Sequence, residues 1–357
     1  MTTENALQNP SPFRRQIERD VAEILTAPLP WHELAGRTIM VTGATGFIGS
    51  YLIETLCALR NQPASAPRAI IAHVRSRQKA LARFAGMAGA AELIILEGDV
   101  GHAIDLDQPV DVVIHAASPA SPRHYLIDPV GVLRANLTGT QWLLELAARH
   151  DAKVLFFSSA EVYGQTDIVP TPENAYGYVD PTTVRACYAE GKRAAETLCV
   201  AWHHQFGTKV SMVRPFHTYG PGIALDDGRV FADFVADIVA GRDIVMHSDG
   251  LATRAFCYVT DAVCGFFTVL FHGQNGQAYN VGNPAGETSI ADLADMLVAL
   301  YPEKGLRVVR DASRRDQAYA QSPVIRNVPD IARLKTLGWS PTILPREGFM
   351  RMVDSYG

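Results

Sequence analysis

The stretch 38-TIMVTGATGFIGSYLIETLCALR-60 decides the fold. TIMVT is a short, continuous apolar run, as a strand buried on both faces requires. FIGSYLIETLCALR then carries apolar residues at helical spacing. Between the two stand Gly43, Gly46 and Gly49. A chain that leaves a strand and at once enters a helix must turn sharply. Positions without side chains let its backbone approach an anion, and the helix N-terminus adds partial positive charge. A tight turn alone would also account for the glycines. Strand before and helix after turn the pattern into a dinucleotide pyrophosphate loop.

Working outward, further apolar runs lie at AIIAHV (69–74), ELIIL (92–96), VDVVIHAAS (110–118) and KVLFFSS (153–159). Helical patterns separate several of them, clearest at 130–149. Strands alternating with helices predict an α/β fold, a doubly wound parallel sheet of the Rossmann kind. The second half is less regular. A helix over 185–206, the strand VSMVRP and a helix over 229–240 are followed by mixed elements, which predicts a smaller mixed α/β substrate-binding domain. The expected division is an N-terminal helical extension at 1–35, a mainly dinucleotide-binding part at 36–215, and a mainly substrate-binding part at 216–357 from which the chain crosses back. Within the extension, residues 1–10 read as mobile. Ser11-Pro12 opens an amphipathic helix over 12–26, with Phe13, Ile17, Val21 and Ile24 on one face and Arg, Glu and Asp between them. That face is expected to pack on the main body.

Composition narrows the function. Of 357 residues, 48% are hydrophobic and 19% charged, which excludes a disordered or collagen-like chain. The formal net charge of −5 argues against nucleic acid as a partner. No apolar run is long enough to span a bilayer, and the N-terminus lacks the order of a signal peptide, so no membrane is expected. The cysteines Cys57, Cys187, Cys199, Cys257 and Cys264 are odd in number and form no CxxC pair, which fits a reducing cytoplasm. His102 and His203-His204 are not at ligand spacing, so no metal is expected.

Tyr188 and Lys192 form Tyr-x-x-x-Lys within the helix over 185–206, which puts both on one face. A free phenol titrates near ~10, too high for a base at neutral pH. A neighbouring ammonium and a nicotinium ring would lower it, so the pair reads as a general base and its cation. Ser159 ends KVLFFSS, at the strand edge where parallel sheets bind ligands, and can share the substrate hydroxyl's hydrogen bond with Tyr188. After the second strand the chain reads HVRSRQK, with Arg75 and Arg77 and no acid. An acid there holds the ribose of NAD, while an arginine accepts the phosphate of NADP, so NADP+ stays open beside a solvated loop start.

With the G-x-x-G-x-x-G spacing, SSAEVYG and Tyr-x-x-x-Lys in place, the chain resembles the extended short-chain dehydrogenase/reductases, the NAD-dependent epimerase/dehydratase family. HAASPASPRHY (115–125), RACYAEGKRAAET (185–197), PFHTYGP (215–221), DDGRV (226–230), TRAFCYVTD (253–261) and NVGNP (280–284) are similar to its UDP-glucuronate decarboxylase branch. The resemblance covers nearly all of the chain after residue 35. It implies bound NAD+, held by Gly43, Gly46, Phe47, Ile48, Gly49, Arg75, Asp99, Val100, Ala116 and Lys192, with Asp99 on the adenine amine. It implies Glu161 beside the reacting carbon, and Tyr125, Arg185, His217, Arg229 and Arg254 around a UDP-linked nucleotide-sugar. The implied reaction oxidises the sugar C4 hydroxyl, loses carbon dioxide from the keto acid and returns the hydride. Related enzymes pair the helices at 132–149 and 185–204 into a four-helix bundle, which implies a homodimer.

Three positions depart from the branch. Ala160 replaces a hydroxyl residue, and cannot donate the proton a 4,6-dehydratase needs from an Asp there. His217 replaces an Asn, and Gly222 an Arg. Ala160 keeps open a 4-epimerase of a UDP-hexose or UDP-uronate. A non-catalytic dinucleotide sensor conflicts with the retained Tyr188 and Lys192.

Overall fold

A computed structural model describes residues 11–87, 89, 92–106, 108–120, 122–311 and 324–357, with the side chains of 122–124 left aside. The mobile reading of residues 1–10 lies outside the described residues, as does Ser121 of the ASPASPRHY motif.

The strands β1 (Thr38–Thr42), β2 (Ala69–Val74), β3 (Ile94–Glu97), β4 (Val112–His115), β5 (Lys153–Phe157) and β6 (Val210–Pro215) join β11 (Ala278–Val281) in one sheet. Its order is β11-β6-β5-β4-β1-β2-β3, and every pairing is parallel. The chain turns outward in opposite directions from β1, so the crevice between the ends of β1 and β4 is where such sheets bind ligands. All five residues of β1 are buried, which is why TIMVT lacks alternation. Ile39 and Val41 enter one core and Met40 the other. In β5, Leu155 and Phe157 face the first core while Val154 and Phe156 face the second.

The first core is covered by α1 (Pro12–Leu25), α2 (Phe47–Leu59) and α9 (Val259–His272), the second by α5 (Pro129–Asn136), α6 (Thr138–His150) and α7 (Ala186–Phe206). The short helices α3 (Arg77–Arg83) and α4 (Pro122–Ile127) follow β2 and β4. Ser11 caps α1 by accepting the Arg14 N–H, and Ile17, Val21 and Ile24 are buried, so this segment packs on the body as its spacing predicts. The single helical pattern at 130–149 is two helices that meet at Leu137. Thr140 Oγ1 donates to the Asn136 carbonyl and Asn136 Nδ2 to the Val132 carbonyl. Side chains competing for backbone acceptors at the junction bend the helix there.

The second half supplies small sheets. β7 (Thr218–Tyr219) pairs with β10 (Cys257–Tyr258), β8 (Ile244–Met246) with β13 (Val308–Arg310), and β9 (Thr253–Ala255) lies between β12 (Glu287–Ser289) and β14 (Arg326–Asn327). The helices α8 (Val230–Val239), α10 (Ile290–Leu300), α11 (Ala332–Lys335) and α12 (Pro345–Tyr356) complete this side. Among the described residues no helix is long and apolar enough to cross a membrane.

Candidate active site

The glycine loop connects β1 to α2. Gly43 has φ +68°, and a Cβ there would lie 2.7 Å from the Ala117 Cα and 2.9 Å from the Ala116 carbonyl oxygen. A Cβ on Gly49 would run into the Gly43 carbonyl oxygen, and one on Gly46 would press the same atom at 3.1 Å. Packing of the loop against the end of β4 therefore requires glycine as firmly as ligand approach does. Gly46 N-caps α2 without a side chain and is exposed, so the first backbone of α2, including Phe47 and Ile48, forms an open cradle at a helix N-terminus. That cradle fits the pyrophosphate of a dinucleotide.

Around it, Val100 is buried and Ala116 half-buried. Asp99, beyond the end of β3, accepts the Gly101 N–H at 2.7 Å. Arg75 is exposed. Arg77 gives its guanidinium to the Ile95 carbonyl at 3.0 Å and its backbone N–H to Glu97 at 3.1 Å, so it braces α3 against β3.

Tyr188 and Lys192 stand on one face of α7, both buried. Lys192 Nζ donates to the Phe157 carbonyl at the end of β5, 2.6 Å away, and lies 5.9 Å from the Tyr188 ring centroid. Burial lowers Lys192 to about 7, opposed by Glu196 one turn on. Burial pushes Tyr188 up to about 12, opposed by a hydrogen bond shared with Ser159. Ser159 leaves β5 and caps a short 3-10 turn, Ala160–Tyr163, by accepting the Glu161 N–H at 3.2 Å. Tyr188, Lys192 and Ser159 thus meet where β5 ends.

Tyr125 stacks on Tyr188 with ring centroids 4.8 Å apart and planes 19° apart, and its hydroxyl donates to the Ala120 carbonyl. Glu161 pairs with Arg185 at 3.3 Å. Arg229 N-caps α8 and grips Asp227 through contacts of 2.7–3.0 Å. It is near enough to favour the phenolates of Tyr125 and Tyr188 and to disfavour a charged His217. His217 is half-buried, and burial lowers its pKa well below that of a free histidine, with Arg254 and Arg229 adding to the effect. Arg254, in β9, donates to the carbonyls of Thr253 at 2.7 Å and Ile325 at 3.2 Å. Tyr125, Glu161, Arg185 and Arg229 therefore lie within electrostatic reach of one another beside Tyr188, and His217 lies within reach of both Arg229 and Arg254.

Sequence reading missed what fixes this group. Arg214 holds Glu196 through two bonds of 2.8 and 2.6 Å and donates to the Tyr163 hydroxyl at 2.8 Å. It thereby ties α7 to the turn that carries Glu161. The signal was present: Glu196 stands four residues after Lys192, on the same helix face. Asn136, which accepts from Ser118 Oγ at 3.1 Å, had no such signal.

Residues 39–282 match the NAD dependent epimerase/dehydratase family. UDP-glucuronic acid decarboxylase 3 of Arabidopsis thaliana is 35% identical over 89% of this chain and 88% of its own length. UDP-glucuronic acid decarboxylase 1 of Xenopus tropicalis is 33% identical over 90% of this chain and 72% of its own. Among solved structures, a UDP-glucose 4-epimerase of Thermotoga maritima superposes with a TM-score of 0.73 at 22% identity, covering 89% of this chain and 98% of that one. A dTDP-glucose 4,6-dehydratase of Streptomyces venezuelae, solved with NAD bound, gives 0.75 at 24%, covering 89% and 96%.

Proposed function

Because the chain belongs to the NAD dependent epimerase/dehydratase family, and is an enzyme that works with NAD, we propose that it oxidises C4 of UDP-glucuronate and releases carbon dioxide from the resulting 4-keto acid. The observation that carries this reading is the assembly of Tyr188, Lys192, Ser159 and the Glu161–Arg185 pair around one strand end, within motifs shared with the decarboxylases.

The cradle at Gly43, Gly46 and Gly49, with Phe47, Ile48, Asp99, Val100, Ala116 and Lys192, would hold the cofactor. NAD, when bound, supplies reversible hydride transfer at C4. Tyr188 takes the proton of the C4 hydroxyl, and Ser159 shares that hydrogen bond. The Ser159 hydrogen bond and the Arg229 charge pull the phenol down against burial, and a protonated Lys192 and the cofactor's positive ring would add to that pull. A ketone at C4 stands β to the C6 carboxylate, so the C5–C6 bond breaks with its electron pair moving onto the C4 oxygen. The enolate takes a proton at C5 from water, which restores the C4 ketone, and as hydride returns to C4 the protonated Tyr188 gives its proton back to the C4 oxygen. Arg254 presents its guanidinium to carboxylate or diphosphate and Arg229 to diphosphate, while Arg185, Tyr125 and His217 line the sugar side with Glu161 beside the reacting carbon. The part at 36–215 mainly serves the cofactor and the part at 216–357 mainly the nucleotide-sugar, with α1 as an extension.

Incubation with UDP-glucuronate, following carbon dioxide and product mass, tests the reading. Release of carbon dioxide with a pentose product is expected. Conversion of another nucleotide-sugar without it would sink the proposal. Ala160, buried among Val162, Tyr163 and Phe216 with no proton to give, favours 4-epimerisation as the second reading, in which mass is conserved. The free thiols Cys57, Cys187, Cys199, Cys257 and Cys264 support a cytoplasmic enzyme. Exposed Val130, Val200 and Phe206 on α5 and α7 support a homodimer through those helices, which light scattering would detect.

A further inference from the structure

We propose that α1 is a strap that fixes the angle between the cofactor-side helix α2 and the substrate-side strand β10, with Asp20 as its positioning residue. The proposal rests on the reading above, in which α2 and β10 serve opposite sides of one reaction.

Asp20 is fully buried. Its carboxylate accepts from the Tyr51 hydroxyl of α2 at 2.8 Å, from the Tyr258 hydroxyl of β10 at 3.0 and 3.2 Å, and from Gln16 Nε2 of its own helix at 2.9 Å. Arg351 of α12 stands 3.7 Å away and pairs with Glu23 at 2.7 Å. Tyr51 lies near the start of the helix that the glycine loop opens. Tyr258 follows Cys257, whose N–H holds the His217 carbonyl at 3.0 Å. One carboxylate therefore joins both sides of the site from behind.

The strap has a second anchorage. Phe13 packs 6.0 Å from the Tyr356 ring, and Tyr356 donates to the Ile223 carbonyl at 2.6 Å while accepting the Gly222 N–H at 3.0 Å. Arg83 lies over the Phe13 ring and donates to Ser50 Oγ of α2 at 2.6 Å. A Cβ on Gly222, which has φ +97°, would come within 2.7 Å of Arg83 Nη2. The positive φ of Gly222 disfavours any side chain there, and the Arg83 guanidinium of α3 occupies the space beside it. The loop carrying His217 and Arg229 is thus held against α2 at two points through α1.

Burying a carboxylate is a poor way to gain stability, since apolar groups of similar shape do as well. It does fix direction, because each phenol must point at it. The consequence is a split between binding and chemistry. Each ligand meets mainly its own side, while hydride transfer needs the two sides in register.

In the full chain, Asp20→Ala should leave the separate affinities for NAD and for UDP within about twofold, and lower kcat on UDP-glucuronate by about ten- to a hundredfold. Asp20→Asn, which keeps an acceptor for the phenols, should restore most of it. A lower melting temperature with kcat unchanged per folded molecule would make α1 a stabiliser only and overturn the proposal. If the wild-type chain does not turn over UDP-glucuronate, the reading of function fails, and hydrogen exchange still decides the strap. Asp20→Ala should then speed exchange both at residues 50–55 of α2 and at residues 256–258, and unchanged exchange on either side would refute it.

Discussion

The two sides to which the proposed function assigns oxidation and substrate binding are built on opposite principles. Tyr188, Lys192 and Ser159 are buried or half-buried at a strand end, with Lys192 anchored to the Phe157 carbonyl and Tyr188 bonded to Ser159. Their relations are those that the proposed abstraction of the C4 hydroxyl proton needs. The arginines of the substrate side are instead engaged with the chain itself: Arg185 with Glu161, Arg229 with Asp227, and Arg254 with two carbonyls. Geometry is set in advance where bonds to hydrogen break. Charge is held on internal partners where an anion must be admitted. On the proposed function, an arriving diphosphate or carboxylate would have to exchange those partners, which gives Asp227 and Glu161 a share in selectivity beside the cations they hold.

The sharpest way to break the comparison is Tyr188→Phe. It should cost about 10²–10⁴ in turnover, the worth of a positioned acid–base group, with NAD still bound by the purified protein. Mass spectrometry of released dinucleotide and a rate measurement check both halves of that statement. Glu196→Ala should come next. It strands the Arg214 guanidinium in the interior and should cost about 3–5 kcal/mol in denaturant unfolding. If stability barely moved, the oxidising side would not be the rigid one.

Arg229→Ala should raise KM by roughly tenfold or more, from the loss of about 1.5–3 kcal/mol of charged hydrogen bonding, with less change in kcat. Steady-state kinetics separate the two. An equal fall in kcat would mean that Arg229 acts in the chemical step and that the two sides are less distinct. The smallest effect concerns pH. Lys192 titrates at about 7 in the folded chain against 10.5 when free, so the fold disfavours its charged form. The resulting loss of stability is full below pH 7 and fades as pH rises toward 10.5. Lys192→Met should therefore melt higher than the wild type at pH 6, with the difference shrinking by pH 10. A pH-independent difference would place the cost elsewhere.

What could be read from the sequence follows the same division. TIMVT, the glycine spacing and Tyr-x-x-x-Lys are local patterns, each set within a few residues by strand and helix geometry. The partners of the arginines are not all local. Glu161 and Arg185 are 24 residues apart, and nothing in either segment names the other. Asp227 is two residues from Arg229, yet only the turn geometry shows that it captures that side chain. The break at Leu137 escaped because hydrophobic spacing continues through it, while the competing bonds of Asn136 and Thr140 depend on rotamers. Asp20 was readable and misjudged. As an acid it reads with the polar residues of α1, although it stands three residues from Ile17 and four from Ile24, on the buried face.

The packing of α1 on α12 also bears on how the protein is made. Glu23 and Arg351, which bond across that contact, are 328 residues apart. At about 5–20 residues per second, roughly 15–65 s separate the appearance of one from that of the other. Early in that interval strands β1 to β6 can pair around β1, α2 can receive Arg14, and Tyr51 can meet Asp20. Tyr258 and α12 are still to come, so part of the apolar face of α1 stays open to other chains emerging nearby. The strap is the first helix described and among the last to find all its partners.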